Sequence, residues 1–369
     1  MHVAVHQVKR YIRCSHFNGN LRWEFLMGSL TGRVALITGA GRGIGRHEAV
    51  FFAAQGARVV VNDAGVDLDG TGGDRDVAAA VVDEIRANGG EAVANTDSVT
   101  EPSGAQRMVD TAVQTFGDLH IVVNNAAIER NRAIYFMTSE DFDTVCDVKL
   151  KGTFNVSAAA ARYWRHQQCR DTQVDRAIVN TVSGSGLFNP LPGQSNYAAA
   201  NAGVAAMTIV QALELGSLGV RVNCLAPSMI RTRMTLPVPG IQDLPPLGEY
   251  DPYSPAVVAP VAAYLASTRC ALTGQVLAVR GPAVTVGHGW SRGGSVTKDA
   301  EQWTVDELAD RIAGLSYPDT FEILADALGG ALGPVGREQM QDMIDAGLQE
   351  TVRSLPASGD DREVQRDAR

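Results

Sequence analysis

Short apolar runs alternate with amphipathic stretches through the middle of the chain. Residues 34–38 (VALIT), 58–62 (RVVVN), 92–95, 121–123, 177–182 and 220–225 are continuous in Val, Ile, Leu and Ala. Unbroken rather than alternating runs predict strands buried on both faces. Between them, residues 44–55, 77–88, 103–116, 142–164 and 197–215 carry apolar positions at helical spacing. Gly89-Gly90 and Gly117 stop two of these helices. Strand and helix in repetition predict an α/β fold with a doubly wound parallel sheet.

The two ends differ from this middle. Residues 1–26 have scattered His, Arg and Trp but no apolar core of a signal peptide, and Met27 opens a stretch (MGSLTGRVALITG) that reads as a natural start. The first 26 residues are therefore expected to be a disordered extension. Beyond residue 294 the pattern turns purely helical: 304–315, 319–328 and 337–355 predict a helical appendage over 295–355, and residues 356–369 a disordered, charged tail.

Composition narrows the function classes. Hydrophobic residues make up 45 % and the net charge is −9, which argues against nucleic-acid binding and against an acidic membrane surface as partner. No stretch approaches 18 consecutive apolar residues, so no spanning helix is expected. The 5 cysteines show no CxxC pair, and the histidines form no HExxH, so neither a disulfide framework nor a metal site is expected and a cytoplasmic setting fits. Asp67, Asp69 and Asp74 lie in a Gly-rich loop whose spacing is wrong for an EF-hand.

The chemistry begins at Gly39-Ala-Gly41-Arg42-Gly43-Ile44-Gly45, between a predicted strand and a predicted helix. Glycines there let the backbone approach a ligand, and the free N–H groups of the helix N-terminus suit a pyrophosphate. Asp63 ends the next strand, 20 residues after Gly43, where a carboxylate accepts hydrogen bonds from a ribose 2′-hydroxyl. Together these features predict a Rossmann-type dinucleotide site. The carboxylate would repel a 2′-phosphate, so the expected cofactor is NAD; Arg42, able to pair with such a phosphate, argues the other way.

With Asn124-Asn125-Ala126-Ala127, the strand end Asn180-Thr-Val-Ser183-Gly-Ser185-Gly and Tyr197-Ala-Ala-Ala-Asn201, the chain resembles the short-chain dehydrogenase/reductase family from about residue 30 to 290. Val61-Asn62-Asp63, Gly70-Thr-Gly-Gly-Asp74, Lys151-Gly-Thr-Phe154 and Gly193-Gln-Ser-Asn-Tyr197 place the resemblance nearest its hydroxyacyl-CoA and hydroxysteroid dehydrogenase-like branch. The resemblance implies a single Rossmann-type domain over 27–294 with about seven parallel strands. It further implies Asp97 and Ser98 at the adenine, Asn125, Ala126 and Ala127 along the ribose side, and Pro227, Met229 and Ile230 at the carboxamide. Ser183 would hold the substrate oxygen and Tyr197 would be the acid/base; Tyr197 and Asn201 would also touch the cofactor.

Two departures matter. The family places a lysine four residues after the tyrosine, where its charge lowers the phenol's pKa and its ammonium holds the ribose. Here that position is Asn201, neutral and shorter. The family's helix usually carries Asn or His where this chain has Lys149. Lys149 is thus a candidate to supply the missing charge; the alternative is a lysine that points to solvent. Ser183 precedes Tyr197 by 14 residues, one more than usual, so Ser185 is the competing serine. The expected activity is interconversion of a secondary alcohol and a ketone on a bulky hydrophobic substrate, of 3-hydroxyacyl-CoA or steroid type, with Pro-rich residues 232–250 as lid. Loss of the lysine also allows a silent NAD-binding protein. The helices 142–164 and 195–215 are expected to pair across the axis of a homodimer or homotetramer, as the resemblance implies.

Overall fold

A computed structural model describes residues 12–17, 20–25, 28–74, 76–168, 174–236, 241–246, 249–288, 294–297, 310–316, 322–326 and 336–353. Within the segment expected to lack order, β1 (Ile12–Phe17) and β2 (Asn20–Phe25) pair as an antiparallel hairpin that joins no other strand among the described residues.

The main sheet is built from β3 (Val34–Thr38), β4 (Arg58–Asn62), β5 (Glu91–Asn95), β6 (Ile121–Asn124), β7 (Arg176–Thr181), β8 (Val220–Pro227), β9 (Val276–Arg280) and β10 (Ala283–Gly287). Their order is β10-β9-β8-β7-β6-β3-β4-β5. The first seven run parallel, as the apolar runs predict, and β10 turns back antiparallel on β9 as an eighth, edge strand. Burial on both faces is explicit within single strands. Ala35, Ile37, Val59, Val61, Ile121 and Val123 pack on one side, against α1 (Gly43–Ala54), α2 (Asp76–Ala87) and α7 (Ala259–Ala266). Val34, Leu36, Val60 and Val122 pack on the other, against α3 (Pro102–Phe116) and α5 (Gly152–Gln168).

The helix expected over 142–164 is not continuous. It divides into α4 (Ser139–Cys146), a π-helical turn (Asp147–Lys151) and α5. Thr138 caps α4 through a reciprocal capping box with Asp141. The wider turn brings Lys149 in toward the sheet, and such turns often sit at functional sites. Residues 195–218, which contain α6 (Ser195–Leu215), are long and apolar enough to cross a membrane, with mean hydropathy 1.3. The helix packs on β8 and buries Tyr197, Asn201, Thr208 and Gln211, while Ile209, Val210 and Leu213 are exposed. At the C-terminal end α8 (Arg337–Arg353) is helical as expected, residues 310–313 and 322–326 are helical, and 304–309 and 356–369 lie outside the described residues.

A polar spine crosses the core at the strands' C-terminal ends. Asn124 Nδ2 donates to Ser157 Oγ at 2.9 Å and to Asn180 Oδ1 at 2.8 Å, and Asn180 Nδ2 donates to Thr208 Oγ1 at 3.0 Å. These bonds tie α5 and α6 to β6 and β7, although Asn124 Oδ1 is left without a donor.

Candidate active site

The chain reverses its direction of winding between β3 and β6, and the crevice there is where α/β sheets bind ligands. A cavity of about 690 Å³ opens at that point. Its floor is the glycine turn. Gly39 and Gly43 hold φ of +62° and +53°, conformations costly to other residues. A Cβ on Gly45 would lie 2.4 Å from the Gly39 carbonyl oxygen, and one on Gly41 would lie 2.8 Å from Asp63 Oδ2. Asn125 pins the turn: its Nδ2 donates to the carbonyls of Thr38 and Gly39, each at 3.1 Å, while Thr38 Oγ1 accepts the N–H groups of Asn125 and Ala126. The cradle, stripped of side chains and facing the start of α1, fits a dinucleotide pyrophosphate.

Asp63 stands at the end of β4 with its carboxylate fixed by two backbone donors, Gly41 N–H at 2.8 Å and Gly65 N–H at 2.7 Å. Arg42 is turned toward Asp74, 3.6 Å away. Further along the wall, Asn62 Nδ2 donates to Asn95 Oδ1 and to the Asp97 carbonyl, and Asp97 pairs with Arg107. These contacts order the loop that carries Asp97 and Ser98. On the opposite side Met229 takes a φ of +56°, left-handed for a non-glycine residue.

Tyr197 lies on the first turn of α6 and is 9 % exposed. Burial, with the Glu129 carboxylate, pushes the phenol's pKa up to about 12, against the opposing effect of Asn201 and Ser183. Asn201, one turn on, is fully buried; its Nδ2 donates to the Tyr197 carbonyl at 2.8 Å and its Oδ1 has no donor. Ser183 Oγ also accepts the Ser185 N–H at 3.1 Å, whereas the Ser185 hydroxyl is buried without a partner. Ser183, not Ser185, is thus the serine that acts on the phenol.

Lys149 does not point to solvent. It is 1 % exposed, donates to the Thr181 carbonyl, and burial lowers its pKa to about 8. The groups that feel its charge are Cys224 and Glu48, while those acting on the phenol are Glu129, Asn201 and Ser183. Glu48 on α1 is fully buried with neither carboxylate oxygen hydrogen-bonded, and desolvation pushes it up to about 8.

Of the residues singled out in the sequence, Gly39, Arg42, Gly43, Ile44, Asp63, Asp97, Ser98, Asn125, Ala126, Ala127, Lys149, Ser183, Tyr197, Pro227 and Ile230 line one cavity. Gly45 and Asn201 sit directly behind its wall. Glu129, Asn131 and Gln194 also line it and were not anticipated. Their sequence signals were an acid two residues beyond Asn124-Asn125-Ala126-Ala127 and the place of Gln194 in Gly193-Gln-Ser-Asn-Tyr197.

The short chain dehydrogenase family model matches residues 33–239, and the chain belongs to that family. It is 39 % identical over 304 residues to hydroxyacyl-CoA dehydrogenase ChsB1 of Mycobacterium tuberculosis, covering 79 % of this chain and 92 % of the relative. It is 34 % identical to peroxisomal multifunctional enzyme type 2 of Mus musculus, covering 81 % of this chain but 39 % of that longer protein. Among solved structures, a short chain dehydrogenase from Mycobacterium avium superposes with a TM-score of 0.68 at 42 % identity, covering 84 % of this chain and 98 % of the other. The fold, family and branch expected from the sequence therefore stand, and an oxidoreductase role follows.

Proposed function

We propose that the protein is an NAD(H)-dependent oxidoreductase that interconverts a secondary alcohol and a ketone on a bulky, mainly hydrophobic substrate of 3-hydroxyacyl-CoA or steroid type. The observation that carries this reading is the meeting of the Tyr197 phenol with the Ser183 hydroxyl on the wall of the cavity whose floor is the glycine cradle. Ser183 would donate a hydrogen bond to the substrate oxygen, and Tyr197 would take the carbinol proton in oxidation and return it in reduction. NAD, when bound, supplies the hydride acceptor at the carbinol carbon. Support for NAD rather than NADP is the fixed Asp63 carboxylate, with Arg42 already facing Asp74. Relatives named for hydroxyacyl-CoA and 3-oxoacyl substrates favour that substrate class.

A second reading is favoured by one observation: the phenol is pushed up to about 12 and Asn201 offers no charge against it. On that reading the protein binds NAD with weak or no turnover. Fluorescence titration with NADH and NADPH, followed by turnover of acyl-CoA, steroid and small secondary alcohols, separates the two. Binding with turnover supports the enzyme; tight NADH binding with none supports the silent protein. Tighter NADPH than NADH binding would overturn the cofactor assignment. A cytoplasmic homodimer or homotetramer completes the proposal, supported by the exposed Ile209, Val210 and Leu213 of α6 and Phe154 of α5.

A further inference from the structure

Two loops meet beside the serine that acts on the phenol. Past the end of β7 the chain folds back on Gly184, whose carbonyl accepts the N–H groups of Leu187, Phe188 and Asn189 at 3.1, 2.8 and 2.9 Å. The Gly184 N–H donates to the Pro227 carbonyl at 3.2 Å, which carries the pairing of β7 with β8 beyond Thr181 and Leu225. Ser183-Gly184 and Pro227-Ser228 are therefore neighbours on adjacent strand ends, and strands so paired lie about 4.8 Å apart. Ser228 is held from two sides. Its N–H donates to the Val279 carbonyl at 2.9 Å, and Asn189 Nδ2 donates to its hydroxyl oxygen at 3.2 Å.

Both side chains belong to the cavity wall: Asn189 and Ser228 are half-buried and line it together with Ser183, Leu191 and Met229. Geometry fixes their place. A Cβ on Gly184, the residue after Ser183, would lie 2.5 Å from Asn189 Nδ2 and 3.4 Å from Ser228 Oγ. A serine hydroxyl has two lone pairs and one proton. Asn189 occupies a lone pair, and among the described residues no acceptor takes the proton. A donor is thus left over on the substrate side of the cavity. Neither member of the pair is charged, and Leu191 and Met229 beside them are apolar, so a neutral carbonyl oxygen suits this donor better than an ion. A bare hydrocarbon laid against Ser228 would cover the hydroxyl and leave its proton unpaired, at a cost.

We infer that Ser228, oriented by Asn189, donates a hydrogen bond to a second substrate oxygen, a carbonyl two carbons from the carbinol held at Ser183. This rests on the proposed function and chooses within its substrate class. A 3-hydroxyacyl thioester carries an acceptor at that spacing. A steroid alcohol with no carbonyl near its carbinol offers Ser228 nothing. Ser228 is in this sense a specificity residue, and Asn189 is the positioning residue behind it.

The test uses two matched alcohols that differ in one oxygen: the N-acetylcysteamine thioester of 3-hydroxyhexanoic acid, and the thioether in which a CH2 replaces its thioester carbonyl. The full-length wild type, Ser228→Ala and Asn189→Asp are compared by kcat/KM with NAD and by calorimetric binding to the NADH-loaded protein. The wild type is expected to bind the thioester more tightly than the thioether by about 3- to 10-fold, the scale of one neutral hydrogen bond. Ser228→Ala should remove that preference in binding and reduce the kcat/KM ratio by the same factor. Asn189→Asp places a carboxylate against the hydroxyl and takes up its proton, so it should remove the preference although the serine is still present. Equal binding of the two compounds by the wild type, or an unchanged ratio in Ser228→Ala, overturns the inference. So does a Ser228→Ala variant in which both compounds weaken together, because the serine would then serve only the fold of the loops. A thioester preference in binding that depends on Ser228, with no turnover of either compound, overturns the proposed function instead and leaves the recognition site standing.

Discussion

Replacing Asn201 by lysine puts the electrostatic argument to its most quantitative test. In the native protein the phenol is pushed up to about 12 by burial and by Glu129. At pH 8 that leaves about one tyrosine in ten thousand ionised. Asn201 lies one helical turn on, fully buried, hydrogen-bonded to the Tyr197 carbonyl and with a spare oxygen. An ammonium held within ~4–6 Å of a phenol lowers its pKa by about 1–3 units. Asn201→Lys should therefore raise the ionised fraction at pH 8 by about 10- to 1,000-fold and move the rise of kcat with pH in alcohol oxidation to lower pH by about 1–3 units. A buried lysine costs stability, so a lower Tm accompanies the gain. The assay is NADH formation from a saturating secondary alcohol across pH 6 to 11 in both proteins. A profile that keeps its position and height refutes the reasoning, because the phenol would then owe its working pKa to something other than the missing cation. A large rise also shows that Lys149 was not filling that role.

Two further outcomes follow from the same geometry. Asp63→Ser removes the carboxylate that faces the 2′-position, and the ratio of NADPH to NADH affinity measured by fluorescence should rise at least about tenfold, the scale of one charge contact; an unmoved ratio would place cofactor choice elsewhere. The folded chain holds the Glu48 proton up to about pH 8 while the unfolded chain releases it near 4.5, so Glu48 makes the fold less stable as pH rises between those values. Glu48→Gln should gain in Tm over the wild type from pH 5 to pH 8, and two parallel curves of Tm against pH would contradict the buried, unpaired carboxylate.

The central sheet was legible because each parallel strand is apolar on both faces; Val59, Val60 and Val61 alternate sides, and no loop could carry such a run. The glycine turn and Asp63 were legible for a related reason, since a pyrophosphate cradle restricts residue type position by position. The break at Asp147–Lys151 was not legible. One extra residue in a helical turn leaves the apolar spacing around Val145 and Leu150 unchanged, and the buried lysine it creates looks like any surface lysine in the sequence. Residues 195–218 were legible as a helix but not as a long apolar one, because Thr208, Asn201 and Gln211 interrupt the run of apolar residues and are buried inside the fold. Glu129 escaped notice because its meaning depends on Gln194, which lies 65 residues away in the chain and meets it only when the loop after β6 folds beneath the start of α6.

The most direct measurement of the central claim is the turnover of Tyr197→Phe. The exchange deletes one oxygen from a buried ring and leaves the glycine cradle and Asp63 in place. With NAD and the best alcohol both saturating, kcat should fall by about 100- to 10,000-fold while NADH binds as in the wild type. A variant that keeps most of its rate would show that the proton leaves the carbinol by another route, and Tyr197 would lose its place as the acid/base of this site.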